Sequence, residues 1–133
     1  MPFPVEGRWI TETETKLGVR FPAGFSVAMA RSNGGTVSTP VGSFELFPFF
    51  DASDRNRIRR TCGSIDRETR GARTRPGFPQ TAVAIGSNHC GDMLVLLPVT
   101  DRPDLLLHAV FWWDHETDEV QTVAEDFAEL PRS

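Results

Sequence analysis

Three histidines and two cysteines bound the side-chain chemistry open to this chain. They are His89, His108 and His115, with Cys62 and Cys90. The densest stretch is Asn88-His89-Cys90-Gly91-Asp92, which offers a thiol, an imidazole and a carboxylate close together, the groups of thiol catalysis. The spacing argues against that use. Neighbours in an extended or turn segment point in different directions, so His89 is poorly placed to deprotonate Cys90. Gly91 and Asp92 read more simply as a turn opening the next strand. Cys62, His89, Cys90 and His115 are donor types that tetrahedral zinc favours. Adjacent His-Cys is not a ligand spacing, however, and no pair motif repeats. His108 shares strand parity with Leu106, Val110 and Trp112, which predicts a packed imidazole. No GxSxG, HExxH or paired-carboxylate motif occurs. The residues therefore point to no catalytic group, no cofactor and no metal.

The segment "RFPAGFSVAMARSNGGTVS" poses a different question, because Asn33-Gly34-Gly35 is glycine-rich enough to invite a phosphate. A phosphate loop leads from a strand into a helix and ends in Lys and Ser or Thr. Here Phe25, Ala28, Met29 and Ser32 follow helical spacing behind Pro22, so the glycines leave a helix, where the dipole is negative and repels anions. Asn and Gly also tolerate the left-handed backbone at which helices commonly end. The motif reads as a stop and a turn.

Charge is distributed unevenly. The net charge is −4, yet residues 55–75 hold eight arginines against Asp66 and Glu68, a local balance of +6. Residues 101–130 hold nine acids against Arg102 alone, a local balance of −8. The basic stretch lacks aromatics and sits in an acidic chain, so nucleic acid is not the expected partner. The acidic end concentrates Asp114, Glu116, Asp118, Glu119, Glu125, Asp126 and Glu129. Its mutual repulsion needs an offset, supplied by the chain's own arginines or by a basic partner. Glu116, Asp118 and Glu119 fall in a predicted turn and are the candidate partner-binding residues.

These residues must be positioned by a modest set of elements. A first helix spans Glu6 to Leu17, with Trp9, Ile10, Thr13 and Leu17 near one face and Gly18 to end it. After the second helix and its turn, Thr36 to Thr39 and Ser43 to Phe49 look extended around a break at Pro40 and Gly42. Asp51 or Ser53 could cap a basic helix with Ile58, Cys62 and Ile65 on one stripe, interrupted by Gly63. Gly71 to Pro79 reads as loop. Thr81 to Ser87, Asp92 to Val99 and Leu106 to Asp114 are apolar runs of strand length, the last two joined by turn chemistry at Thr100 to Asp104. A turn at Glu116 to Asp118, a strand from Val120 to Val123 and a short helix from Ala124 to Leu130 follow. Helices first and a meander of strands after them predict an α+β fold.

At 133 residues, with 39% hydrophobic and 24% charged residues, the chain is expected to be one domain, 1–133. Its ten Phe and three Trp supply the core. No apolar run matches a membrane span, and the start MPFPVEGRW lacks a signal peptide's pattern, so a reducing cytoplasm is the expected compartment. Both cysteines are expected to be free thiols, buried or nearly so.

Several pieces then align with one family. Leu17-Gly18 and Phe21-Pro22, the helix closing on Asn33-Gly34-Gly35, "TAVAIGSNHCGDMLVLL" and "HAVFWWDHETDEVQTVAEDFAEL" resemble, in order and spacing, a SUKH-superfamily domain. That family includes bacterial immunity proteins and fungal regulators of cell-wall assembly. The resemblance runs from Glu6 to Leu130. It departs at Phe21, where leucine is usual, and in the arginine-rich middle. It implies a twisted antiparallel sheet packed by helices, with Pro22, Asn33, Gly34, Gly35, Gly91, Asp92, Trp113 and Asp114 as structural positions. It also implies a non-catalytic protein that binds and neutralises a toxin domain, such as a nuclease or deaminase, and the acidic end of the chain suits a toxin with a basic surface. The alternatives are a regulatory or scaffold module for a peptide or protein, and an enzyme using Cys90 and a histidine.

Overall fold

The computed structural model describes residues 2–132. Helix α1 (Gly7–Leu17) starts after an extended Glu6, buries Ile10 and Thr13, and ends where Gly18 turns left-handed at φ 69°. A residue with a Cβ would be strained there. Helix α2 (Ala23–Arg31) starts behind Pro22, whose fixed φ and missing N–H suit the position. Its Phe25 and Met29, one turn apart, are fully buried. Phe25 meets the Phe49 ring at 5.8 Å and the Phe127 ring at 4.9 Å.

The chain then enters β1 (Thr36–Thr39) and β2 (Gly42–Leu46), a hairpin closed at Pro40-Val41. Helices α3 (Arg55–Arg60) and α4 (Ile65–Ala72) follow, and then β3 (Val83–Ser87) and β4 (Met93–Leu96). A two-stranded ribbon of β5 (Pro98–Val99) and β6 (Arg102–Leu106) stands apart from the sheet. The last strands are β7 (Val110–Trp113) and β8 (Val120–Ala124), followed by a 3-10 turn at Phe127–Glu129. The main sheet runs β1-β2-β3-β4-β7-β8, antiparallel throughout. The architecture is α+β, as the order of elements predicts.

Strand alternation divides the apolar side chains between two clusters. Val83, Ile85, Leu94 and Leu96 join Phe25, Met29 and Phe49 in the first. Ala84, Met93 and Val95 join Ala72, Phe78 and Trp113 in the second. Because β3 and β4 are buried on both faces, they read in sequence as continuous apolar runs, with no alternation.

Several expectations are corrected by the structure. The run Asp92 to Val99 is not one strand: Pro98 has no N–H to give a central ladder, so the chain leaves the sheet at Leu97 and pairs Pro98 with Leu106. The run Leu106 to Asp114 likewise splits into the end of β6 and β7. His108 lies between them with its side chain 68% exposed, facing Asp126 at 3.9 Å, and is not packed as strand parity suggested. Thr100 to Asp104 is only partly turn, since β6 begins at Arg102. The basic helix is two helices. Asp54, not Asp51 or Ser53, caps α3 by accepting from the Arg57 N–H, and Thr61 Oγ1 donates to the Arg57 carbonyl as α3 ends. Ile58 is consequently 41% exposed while Ile65 is fully buried. Gly71 and Ala72 belong to α4 and not to a loop. Ala124 ends β8, and only a 3-10 turn follows, drawn in by buried Phe127. Cys62 and Cys90 are both free and both exposed. The burial expected of them fails because Cys62 sits in the turn between α3 and α4 and Cys90 in the β3–β4 turn, each exposed.

Candidate functional site

The β7–β8 turn grows out of a buried anchor. Trp113, last residue of β7, packs edge-on against Phe78 with ring centroids 5.1 Å apart, and the Arg75 guanidinium lies 4.8 Å above its ring. Beyond it the Asp118 N–H donates to the Asp114 carbonyl, and the Asp114 N–H donates to that of Glu119. Two residues thus oppose Asp114, and Asp118 takes the left-handed φ of 62° that this bulge requires. Asp and Asn tolerate that conformation better than other residues with a Cβ. The Asp114 carboxylate accepts from the Glu116 N–H at 3.0 Å, and Thr117 Oγ1 from the Glu119 N–H at 3.2 Å. The turn is therefore built by its own short polar side chains. Glu116, Asp118 and Glu119 are exposed on it. The Asp118 carboxylate occupies the space that a Cβ on Gly77 would fill.

Beneath the turn, Asp92 ties it to the start of β4. Asp92 Oδ1 accepts from the backbone N–H of His115 at 3.0 Å and stands 2.5 Å from His115 Nδ1. A carboxylate can only accept, so Nδ1 carries the hydrogen. Oδ2 accepts from the Trp112 indole at 3.1 Å. Burial works to raise the Asp92 pKa, but the bonds from the His115 ring, its backbone and Trp112, with the charge of His115, outweigh it and hold the carboxyl below its ordinary value. Gly91 is required here because a Cβ would lie 2.7 Å from the imidazole, and its φ is 109°. Asp92, Asp114 and His115 bring one potential metal-ligand atom each within 4.8 Å of one another. Both Asp92 oxygens, however, are already committed to N–H donors, so the arrangement acts as a clasp across the hairpin.

The other sequence candidates lie elsewhere. Asn33 is buried, and its amide both accepts from the Phe49 N–H at 2.8 Å and donates to the Phe49 carbonyl at 2.9 Å. Gly34 and Gly35 follow with φ of 123° and 86°. This turn lines a cleft of about 280 Å³ with Phe3, Asp51, Arg57 and Thr61. His89 pairs with Glu45 at 3.0 Å on the surface and is not brought to Cys90's service by any hydrogen bond among the described residues. Sequence reasoning missed Arg132. Its guanidinium donates to the carbonyls of Ala28 and Ser32 at 3.1 and 2.8 Å, and to that of Gly34, closing the C-terminal end of α2. It also missed Asp66, whose buried carboxylate accepts from Ser64 Oγ at 2.6 Å and pairs with Arg70 at 3.2 Å and Lys16 at 3.9 Å. An acid inside the basic stretch was the one signal available for it.

The two charged regions do not neutralise each other directly. Among the described residues no ion pair joins an arginine of 55–75 to an acid of 114–129. Arg57 and Arg70 turn instead to Asp51 and Asp66. Among the described residues Glu116, Asp118 and Glu119 form no ion pair, so the turn presents three exposed carboxylates on a hydrogen-bonded hairpin. Among the described residues no helix is long and apolar enough to cross a membrane. The model of the SMI1 / KNR4 family (SUKH-1) matches the chain over residues 4–132. No curated protein and no solved structure matches it.

Proposed function

Because this chain belongs to the SMI1 / KNR4 family (SUKH-1), a membership that fits an immunity or regulatory protein-binding role, we propose that it is a non-enzymatic immunity protein. It acts as one domain over 1–133 and neutralises a polymorphic toxin by direct contact. The observation that carries this reading is the acidic β7–β8 turn, whose Glu116, Asp118 and Glu119 are exposed and form no ion pair within the described chain. A toxin that cuts or edits nucleic acid needs a positive cleft for its polyanionic substrate, and such a cleft is the natural complement of this turn. Covering it blocks the substrate without any chemistry by the inhibitor.

Charges placed this way act mainly on encounter, so their removal should slow association and weaken its dependence on salt. The test begins with a pull-down of tagged protein from its native host, followed by association kinetics across a salt series. Glu116→Lys with Glu119→Lys should lower the association rate at low salt by about tenfold or more. The further change Asp118→Lys should deepen the loss, at some risk to the packing on Gly77. Unaltered kinetics with the captured partner would remove the turn from the interface.

A further inference from the structure

The two edges of the six-stranded sheet are finished differently. The β1 edge is covered by the chain's own C-terminal segment: the Ser38 N–H donates to the Pro131 carbonyl at 2.9 Å, and Val37 bridges to Arg132. At the β8 edge, no backbone hydrogen bond among the described residues reaches Val120–Ala124 beyond the β7 ladder. The Glu119 carbonyl is turned toward β7, where it accepts from Asp114. Backbone direction alternates along an antiparallel strand, so Gln121 also faces β7, and Val120 and Thr122 present their N–H and C=O groups outward. The register shift opposite Val110 and Phe111 leaves Val123 as an unpaired extra residue, so the regular part of the edge is Val120 to Thr122. Edge strands are commonly blunted by Lys or Pro, and Val120–Ala124 contains neither.

The ends of this bare edge are acidic, with Asp118 and Glu119 before it and Glu125 after it. That decides the occupant. A second copy pairing antiparallel through Thr122 would set Glu119 against Glu125, and a parallel copy would set each acid against itself. Both arrangements are repulsive. We propose that the β8 edge binds an extended segment of the partner protein as an added strand, with β-branched residues at its centre and Lys or Arg at both ends. Backbone bonds to Val120 and Thr122 supply the register, and the flanking carboxylates select the charge. This inference rests on the acidic end being the partner-binding end, and adds how the partner's backbone is held.

The test uses the whole protein and the synthetic peptide Lys-Arg-Val-Thr-Val-Thr-Val-Arg-Lys. Its companions are a twin with Glu at every charged position and a copy N-methylated at both threonines and at the valine between them, which blocks either edge of the peptide. The basic peptide should bind and slow amide exchange in Val120–Ala124. The Glu twin and the methylated copy should each bind about tenfold more weakly or worse. Thr122→Pro, which deletes an outward N–H and spares the bonds Gln121 makes to β7, should weaken binding similarly. Glu119→Lys with Glu125→Lys, which leaves the strand residues untouched, should do so even if Thr122→Pro disturbs the fold. If the methylated peptide binds as well as the parent and the β8 amides stay unprotected, edge pairing is wrong while the acidic-end reading stands. No binding by any peptide overturns edge pairing, and the acidic-end reading then stands or falls on the salt series alone. A concentration-dependent dimer in sedimentation, with β8 protected in the absence of peptide, overturns it in favour of a second copy.

Discussion

Two turns of this protein are each built from polar residues and left-handed backbone, and they do opposite things. At Asn33-Gly34-Gly35 the polar group points inward: the Asn33 amide closes both backbone groups of Phe49, sixteen residues on, at a site that is 8% exposed. At Asp114 to Glu119 the charged groups point outward, and the inward work is done from below by Asp92. Polar side chains turned in act as staples, because a buried N–H or C=O without a partner is expensive. Polar side chains turned out and left without ion pairs add little to folding, which leaves them free for another molecule.

The sharpest way to break that comparison is Asn33→Ala. It strands the N–H and the C=O of Phe49 in the core, so a loss of about 2–4 kcal/mol is expected in denaturant unfolding. A loss near zero would mean that the amide is not a staple. Asp92→Ala comes next, at about 1–3 kcal/mol, since the indole of Trp112 and the His115 donors lose their acceptor. This carboxyl also sets an acid limb. Its pKa in the folded protein lies below the ordinary aspartate value of 3.8, so its contribution is present above that value and is lost as pH falls through the folded pKa. Asp66 behaves in the same direction: burial raises it, and Ser64, Lys16 and Arg70 together hold it low. Stability measured from pH 7 down to acid should therefore fall most below about 4, and Asp92→Ala should flatten that limb.

Smaller effects separate the turns further. Gly34→Val and Gly35→Val place a Cβ at positive φ and should cost about 1 kcal/mol or more in at least one case, with partner binding retained. Loss of binding with unchanged unfolding curves would make the inward turn functional and reverse the contrast. Glu116→Lys with Glu119→Lys should change stability by no more than about 0.5 kcal/mol. A loss of several times that would show that the outward turn holds the fold as well. Smallest of all, a strong chelator should leave the thermal midpoint where it is. A clear drop would turn the Asp92, Asp114 and His115 clasp into a metal centre.

Much of this was legible from local patterns. Gly18, Pro22 and Asn33-Gly34-Gly35 punctuate α1 and α2 through single-residue backbone preferences, which hold wherever the residue stands. The runs that became β3, β4 and β7 were visible as apolar segments of strand length. Errors gathered where a neighbour overrules the run. Pro98 ends β4 because a central ladder has no place for it, Phe127 stops the last segment from becoming a helix, and Ile58 and Ile65 part company across Thr61. The site shows the same division. An acidic turn at Glu116 to Glu119 follows from spacing and composition alone, since turn chemistry and charge density are properties of adjacent residues.

Whether those carboxylates would find the arginines of residues 55–75 depended on where two distant segments come to rest, and no local pattern carries that. The tertiary structure brings Gly77 and Arg75 up to the turn, yet directs Arg57 and Arg70 to Asp51 and Asp66. It also lays Pro131 and Arg132 along β1 and leaves β8 bare. The sequence by itself determined the helix stops, the strand-length runs and the charge of each end, because each arises from neighbours in the chain. Only the tertiary structure decided which charges are spent within the molecule and which edge of the sheet stays open, because both depend on contacts between residues far apart in sequence.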